Sequence, residues 1–408
     1  MRRAGAGVRC PLRVLELELS EPVPAIAATA GGRSYRGAQM LVRRHGQPLG
    51  TVRVDFEDAG VAADVVADVV RRELAGALAA APEPAAPPTG LAAPPATVVI
   101  ATRDRPDLLR PCLDSVLASE YTDYEVIVVD NAPERVGTAA LLAERYGDDA
   151  RVRILAEPRP GAGRARASGL AAAAGELVAF VDDDVVVDPR WLSAIGGAFT
   201  AIDRVAAVTT LILPRALETP AQVWLEQFGG FAKGFRRRVF DLDQHRPPDT
   251  LYPYSPGVYG SGASMAFRTA VLRELGGFDP RLTFGGEDLD LFLKVVLSGH
   301  RLVYEPSAIA WHLHPGEYAS LRRTMFSYGA GLTALMTKWS ASDPAIARDI
   351  ARRVPGALRL ALDPGSRKNA DKLDDYPREL TRIERAGMLA GPFLLARSAH
   401  RVRAQVAR

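Results

Sequence analysis

Three consecutive carboxylates, Asp182-Asp183-Asp184, stand directly behind the apolar run Leu177–Val181. Packed like charges repel and raise one another's pKa unless a cation neutralises them. Asp182 and Asp184, one residue apart, are spaced to offer oxygen ligands to Mg²⁺ or Mn²⁺, hard ions that also bind phosphate. A second acidic cluster, Glu287-Asp288 with Asp290, follows Gly285-Gly286 and opens an apolar helical pattern. Acidic residues in a first helical turn complement the helix dipole, which keeps them in the ionised form that can accept a proton. His312 and His314 flank Leu313 after SAIAW, and on a strand such an alternating pair points both rings to one side. Neutral imidazole is a ligand for Mn²⁺. Arg166 lies on an Ala-rich helix opened by Gly161-Ala162-Gly163, whose backbone N–H groups suit an anion. Each group also has a plain structural use, since Asp caps helices and makes turns and a solvated Arg is ordinary.

The elements that must position these groups are legible between residues 97 and 181. Thr97–Ala101, Glu125–Val129, Val152–Leu155 and Leu177–Val181 are short apolar runs rich in β-branched residues. Helical segments Pro106–Ala118, Thr138–Tyr146 and Gly161–Ala174 lie between them. Near-continuous apolar strands alternating with helices predict a parallel sheet buried on both faces. Ligands on such sheets sit beyond the carboxyl ends of the strands. Those ends carry Thr102-Arg103-Asp104, Asp130-Asn131 and the Asp182-Asp183-Asp184 triplet. GAGRARASG is not a dinucleotide fingerprint, because Arg166 occupies the third glycine position.

Upstream, LRVLELEL at 12–19 alternates like a half-buried strand. Met40–Arg44 and Thr51–Phe56 flank the turn HGQPLG, and Val61–Leu78 has a helical apolar stripe. The expected organisation is a small α+β domain at 1–80, a Pro/Ala-rich linker at 81–96, an α/β domain at 97–340 and a basic helical tail at 341–408. A net charge of +3 on 408 residues argues against a nucleic-acid partner. Two cysteines, Cys10 and Cys112, form no disulfide framework or metal spacing and fit a reducing cytoplasm. No signal-peptide core follows Met-Arg-Arg, and AGMLAGPFLLA at 386–396 is too short to span a membrane, so a cytoplasmic protein is expected.

The ordered set VVIATRDRPDLLRPCLDSVL, EVIVVDNA, GAGRARASGLAAAAGELVAFVDDDV and GSGASMAFRTAVLRELGGFDPRLTFGGEDLDLFLKVVLSGHRLVYEPSAIAWHLH resembles family 2 glycosyltransferases of the GT-A fold. The resemblance covers about residues 97–338. It implies a Rossmann-like mixed sheet flanked by helices, and a metal-dependent inverting transfer from a nucleoside-diphosphate sugar, UDP- or dTDP-linked, to a hydroxyl. Through it, Ala101, Thr102, Arg103, Asp130, Arg166, Asp182 and Asp183 are expected to bind the nucleotide sugar. Asp184, with Asp182 and His312, is expected to hold Mg²⁺ or Mn²⁺; which of His312 and His314 is the ligand stays open. Asp288 is expected to be the general base, with Glu287 beside it, and Gly262, Ser264, Asp290 and His314 to face the acceptor.

The acceptor is left as a glycan, a lipid-linked glycan or a small molecule, in cell-envelope, glycolipid or secondary-metabolite chemistry. A sugar nucleotidyltransferase would be expected to carry a glycine-rich loop after the first strand, where this chain has ATRDRP. A non-catalytic glycan-binding scaffold would have little reason to retain both carboxylate clusters. The tail joins the apolar 386–396 stretch to Arg397, Arg401, Arg403 and Arg408, a composition suited to peripheral contact with the inner face of an anionic membrane.

Overall fold

The computed structural model describes residues 9–57, 59–80, 94–134, 136–366 and 368–406; most of the expected linker, residues 81–93, and Arg408 lie outside the described residues. The first strands, β1 (Leu12–Glu18), β2 (Gly37–Arg44) and β3 (Gln47–Asp55), form a three-stranded sheet in the order β1-β2-β3. The turn is tighter than HGQPLG as a whole. His45 and Gly46, at φ of 51° and 73°, make a two-residue turn, and Arg44 pairs with Gln47. Pro48 is accommodated because β3 is an edge strand. The expected long helix is α1 (Ala63–Glu73), which breaks at Leu74 before a short second helix, Ala75–Ala80. Val66 and Val70 pack into a small core with Met40, Val42, Val52 and Val54.

Among the described residues the main sheet has nine strands: β4 (Ala96–Thr102), β5 (Tyr124–Asn131), β6 (Val152–Glu157), β7 (Leu177–Asp182), β8 (Val185–Val187), β9 (Val205–Pro214), β10 (Arg238–Phe240), β11 (Ser264–Arg268) and β12 (Arg301–His312). Their order is β6-β5-β4-β7-β11-β9-β12-β8, with β10 also pairing β12. The first four strands are parallel as expected, while β11 runs antiparallel to β7 and β9, so the whole sheet is mixed. The period of two divides each strand between two cores. Val98, Ile100, Val126 and Val128 enter one core, and Val99, Ile127 and Val129 enter the other.

The helices that bear on the site are α2 (Pro106–Leu117), α3 (Ala162–Ala172), α4 (Pro220–Phe228) and α5 (Glu287–Leu297). They are followed by α6 (Tyr318–Ser342), α7 (Pro344–Leu362) and α8 (Arg378–Val406). The last of these does not stand free. A Cβ at Gly387 would lie 2.1 Å from the Phe326 carbonyl oxygen, so α6 and α8 touch backbone to backbone and only glycine fits. The small α+β unit docks on the main sheet as well. Leu12 N–H donates to Leu217 O at 2.8 Å, and buried Arg43 pairs with Asp188 at 2.6 Å while lying over the Trp311 ring.

Candidate active site

The sheet register brings the metal-type residues together. β8 pairs antiparallel with β12, so Val185 opposes His312, and Asp184, just before β8, accepts the Leu313 N–H at 2.9 Å. His312 Nε2 therefore lies 3.5 Å from Asp184 Oδ1. That oxygen is buried and has no hydrogen-bond partner, an arrangement that costs free energy unless something fills it. Burial lowers the His312 pKa against the opposing pull of Asp184, which favours the neutral ring. An orphaned carboxylate oxygen beside a neutral imidazole nitrogen fits a divalent cation. Among the described residues no group of three His, Cys, Asp or Glu side chains is placed to hold a metal. Asp184 and His312 stand side by side here among the described residues, and a cation held between them would need further ligands from substrate or water.

The triplet divides its work by strand alternation. Asp182 and Asp184 reach the cleft, whereas Asp183 turns inward, taking a 2.7 Å bond from the Thr102 hydroxyl and another 2.7 Å bond from Arg105. Burial pushes the Asp183 carboxyl up to about 7, against the lowering effect of Arg105. Asp183 and Thr102 were expected at the nucleotide; both are buried and hold each other instead. Arg103, expected beside them, is exposed and pairs with Glu134 at 2.6 Å. Arg105, which sequence reasoning missed, bridges Asp183 and Asp184 at 2.7 and 2.9 Å. Its signal was its place in the loop between a strand end and Pro106, where a side chain can turn back over the sheet. Ala101 and Asp130 do lie at the strand ends, with the Asp130 Oδ1 atom buried and unpartnered and its carboxyl raised by burial.

Arg166 is the junction. Its guanidinium, almost fully buried, reaches Asp182 at 2.5 Å and Glu287 at 2.9 Å, joining the two carboxylate clusters into one site. Burial would lower the Arg166 pKa, but Asp182 and Glu287 more than offset it and leave it raised.

Gly285 and Gly286, at φ of 111° and 87°, form the left-handed hinge that admits α5. Asp288 Oδ2 accepts the Gly262 N–H at 2.7 Å, and Oδ1 accepts the Leu289 N–H at 2.9 Å. A Cβ on Gly262 would stand 2.6 Å from the Asp288 Cβ, so the backbone approaches Asp288 closely here. Burial raises the pKa of Asp288 despite those N–H bonds, and raises that of Glu287 despite Arg166. The helix terminus therefore does not hold Asp288 as an ordinary ionised carboxylate; it remains a stronger base.

Three residues expected to face the acceptor lie elsewhere. Asp290 is fully buried, with both oxygens on Lys338 at 2.6 Å and a further bond from Trp339 Nε1 at 3.0 Å. Ser264 is inside the sheet, bonded to Trp191 Nε1 and Thr210. His314 is buried behind His312, with its Nδ1 2.8 Å from the His312 Nδ1 and its Nε2 2.8 Å from Glu226 Oε1. Alternation at a strand end placed the two rings side by side as expected, but only His312 meets Asp184. Glu226 carried no sequence signal beyond its α4 helix.

The model of the family described as "Glycosyltransferase like family 2" matches residues 94–329. The pre-mycofactocin glycosyltransferase of Mycobacterium tuberculosis is 31% identical over 259 residues, 62% of this chain and 49% of that protein. The match thus spans about half the length of that relative. The succinoglycan biosynthesis protein ExoO of Rhizobium meliloti is 28% identical over 264 residues, 58% of this chain and 66% of that protein. Among solved structures, a mannosyltransferase PcManGT from Pyrobaculum calidifontis in complex with GDP-Man and Mn²⁺ aligns at TM-score 0.47 and 20% identity, covering 84% of each chain.

Proposed function

The chain belongs to the family-2-like glycosyltransferases, and within that family we propose an inverting, metal-dependent transfer from a nucleoside-diphosphate sugar to a hydroxyl acceptor. The donor class is a UDP- or dTDP-sugar; the acceptor class is a glycan, a lipid-linked glycan or a small molecule. The observation that carries this reading is Arg166, whose contacts with Asp182 and Glu287 join the two carboxylate clusters into one site. One cluster suits a diphosphate and its cation, and the other holds a base with a raised pKa.

In this mechanism Asp288 removes the acceptor proton as the acceptor oxygen bonds to the anomeric carbon and the bond to the diphosphate breaks. Gly262 and Leu289 N–H groups fix the carboxylate in place for that transfer. Arg166 and Arg105 lie on the side where negative charge grows, which is where fixed cations stabilise a transition state. Asp184 and His312 would hold Mg²⁺ or Mn²⁺, and the chemistry such an ion supplies is neutralisation of charge on the leaving group. The test is a panel of nucleotide sugars with Mn²⁺, Mg²⁺ or EDTA, read by melting temperature and by nucleoside-diphosphate release. A donor that raises the melting temperature only with metal supports the reading. No shift and no release with any donor would overturn it.

The place of action is proposed as cytoplasmic with peripheral membrane contact. The tail supports this differently from the expectation drawn from its apolar stretch. Helix α7 has no buried residue, and Val354, Leu358 and Leu362 repeat every four residues at 45%, 53% and 55% exposure, flanked by exposed Arg348, Arg352 and Arg359. Leu389 and Phe393 on α8 are exposed too, while Gly387 and Gly391 between and beside them are held against α6. No helix among the described residues is long and apolar enough to cross a membrane.

A further inference from the structure

Four side chains lie in a line: Glu226, His314, His312 and Asp184. The contacts are 2.8 Å from Glu226 Oε1 to His314 Nε2, 2.8 Å between the two Nδ1 atoms, and 3.5 Å from His312 Nε2 to Asp184 Oδ1. Both rings are buried, and Phe231 stands edge-on to each, at centroid distances of 4.9 and 5.5 Å.

The Nδ1···Nδ1 contact has space for one proton, so two neutral rings admit two orders. In the first, His314 Nε2–H donates to Glu226, His312 Nδ1–H donates to His314 Nδ1, and His312 Nε2 is left bare. In the second the order reverses. A bare His314 Nε2 would then face the acceptor-only carboxylate of Glu226 at 2.8 Å, two lone pairs in repulsion, while His312 Nε2–H would gain only the long 3.5 Å contact with Asp184. The 2.8 Å contact with a carboxylate decides for the first order. The absence of any hydrogen-bond partner on buried Asp184 Oδ1 agrees with that choice.

We propose that Glu226 is a positioning residue which, through His314, fixes His312 in the Nδ1–H tautomer and presents its bare Nε2 beside Asp184 Oδ1 as a prepared pair of metal ligands. The inference rests on the metal site of the preceding reading and adds to it the residues that prepare it. α4 is shaped as the bracket. Gln222 closes its N-terminus in a capping box with Thr219 and also donates to the His314 carbonyl at 3.2 Å, and Glu226, four residues on, takes the ring of the same histidine. Partners behind a metal-bound histidine commonly set its tautomer and orientation.

The first test needs neither metal nor turnover. In the metal-free protein labelled with ¹⁵N-histidine, long-range ¹H–¹⁵N spectra should show His312 protonated on Nδ1 and His314 on Nε2. His312 protonated on Nε2 would overturn the proposal whatever the enzyme transfers. The second test titrates Mn²⁺, alone and with UDP or dTDP, followed by the paramagnetic resonance of free Mn²⁺. Glu226→Gln keeps the shape but supplies an amide able to donate, which lifts the penalty on the reversed order and lets the His312 Nε2–H face Asp184; with that order the major one, Mn²⁺ affinity should fall about 10-fold, with Glu226→Ala nearer 100-fold. Melting temperature should change little in Glu226→Gln. Mn²⁺ affinity within twofold of the wild type in both variants would also overturn the assignment.

Discussion

Arg166 and Glu287 meet at 2.9 Å across 121 residues of chain, and the other arm of the same guanidinium holds Asp182 at 2.5 Å. The nearby Arg105 is itself paired with Asp183 and Asp184. Replacing Arg166 by Ala strands a buried Glu287, and breaking a buried pair costs about 3–5 kcal/mol. The variant should melt several degrees lower and be inactive. Arg166→Lys keeps the charge but cannot fork to both carboxylates. It should fold, with kcat/KM reduced about 100-fold by analogy with a lost charge-stabilising donor. Wild-type turnover in Arg166→Lys would show that the fork has no part in transfer.

The metal assignment predicts that Asp184→Asn removes most activity together with the Mn²⁺-dependent part of nucleotide binding. A neutral amide is a poor ligand for a hard cation. Asp183→Asn is the control, because that side chain faces Thr102 and Arg105 rather than the cleft. Isothermal titration of nucleotide with and without Mn²⁺ separates the two. Equal metal dependence in wild type and Asp184→Asn would refute the assignment.

Asp288→Asn should leave donor binding nearly intact and lower turnover by about 10²-fold or more, the usual size of a general-base contribution. The pH dependence follows from the raised pKa of Asp288. Below its pKa the carboxyl is protonated and cannot accept a proton, so the rate falls as pH drops through that value. The acid limb of kcat should therefore sit above the ordinary Asp range near 3.9. A flat profile down to pH 4 would remove Asp288 from the base role.

Sequence reading reached the parallel half of the sheet because its strands are buried on both faces and are bounded by turn residues. It singled out Asp182, Asp184, Asp288 and His312, which the structure brings to one candidate site, because they stand at strand ends and a helix start that the pattern locates closely. It failed where side-chain direction decides. Asp183 and Asp182 differ by one residue and point to opposite faces. Asp290 lies in the first turn of α5, yet its bond partners, Lys338 and Trp339, come from α6, and no local pattern reveals that packing. Glu226 and Arg105 became visible only when tertiary contacts brought them to His314 and the triplet.

Gly262 offers a test of geometry with no change of charge. A methyl group there would stand 2.6 Å from the Asp288 Cβ and 2.8 Å from its Oδ2, so the carboxylate has to move. Misplacing a catalytic group by about an ångström can cost 10²-fold in rate. Gly262→Ala should lower kcat by that order and, because the Asp288 Cβ itself is crowded, lower the melting temperature by a few degrees, while nucleotide affinity stays close to wild type. A variant with unchanged kcat would mean that the Gly262 N–H bond to Asp288 has no bearing on the reaction.

The membrane reading is best tested on α7, because deleting the last helix would also tear Gly387 and Gly391 away from α6. Val354, Leu358 and Leu362 are all exposed, so polar replacements should cost little stability. Basic groups near an anionic surface contribute about 1 kcal/mol each, and the apolar stripe adds reversible burial, which together give salt-sensitive attachment. Wild-type protein should co-sediment with vesicles containing phosphatidylglycerol at low salt and release at high salt. Leu358→Asp with Leu362→Asp should reduce sedimentation several-fold while leaving the melting temperature and nucleotide binding unchanged. Leu389→Asp with Phe393→Asp, on the helix named by the sequence, reports whether α8 shares the contact. Equal sedimentation of wild type and all four substitutions combined would exclude these helices as the attachment surface and leave a soluble acceptor as the simpler reading.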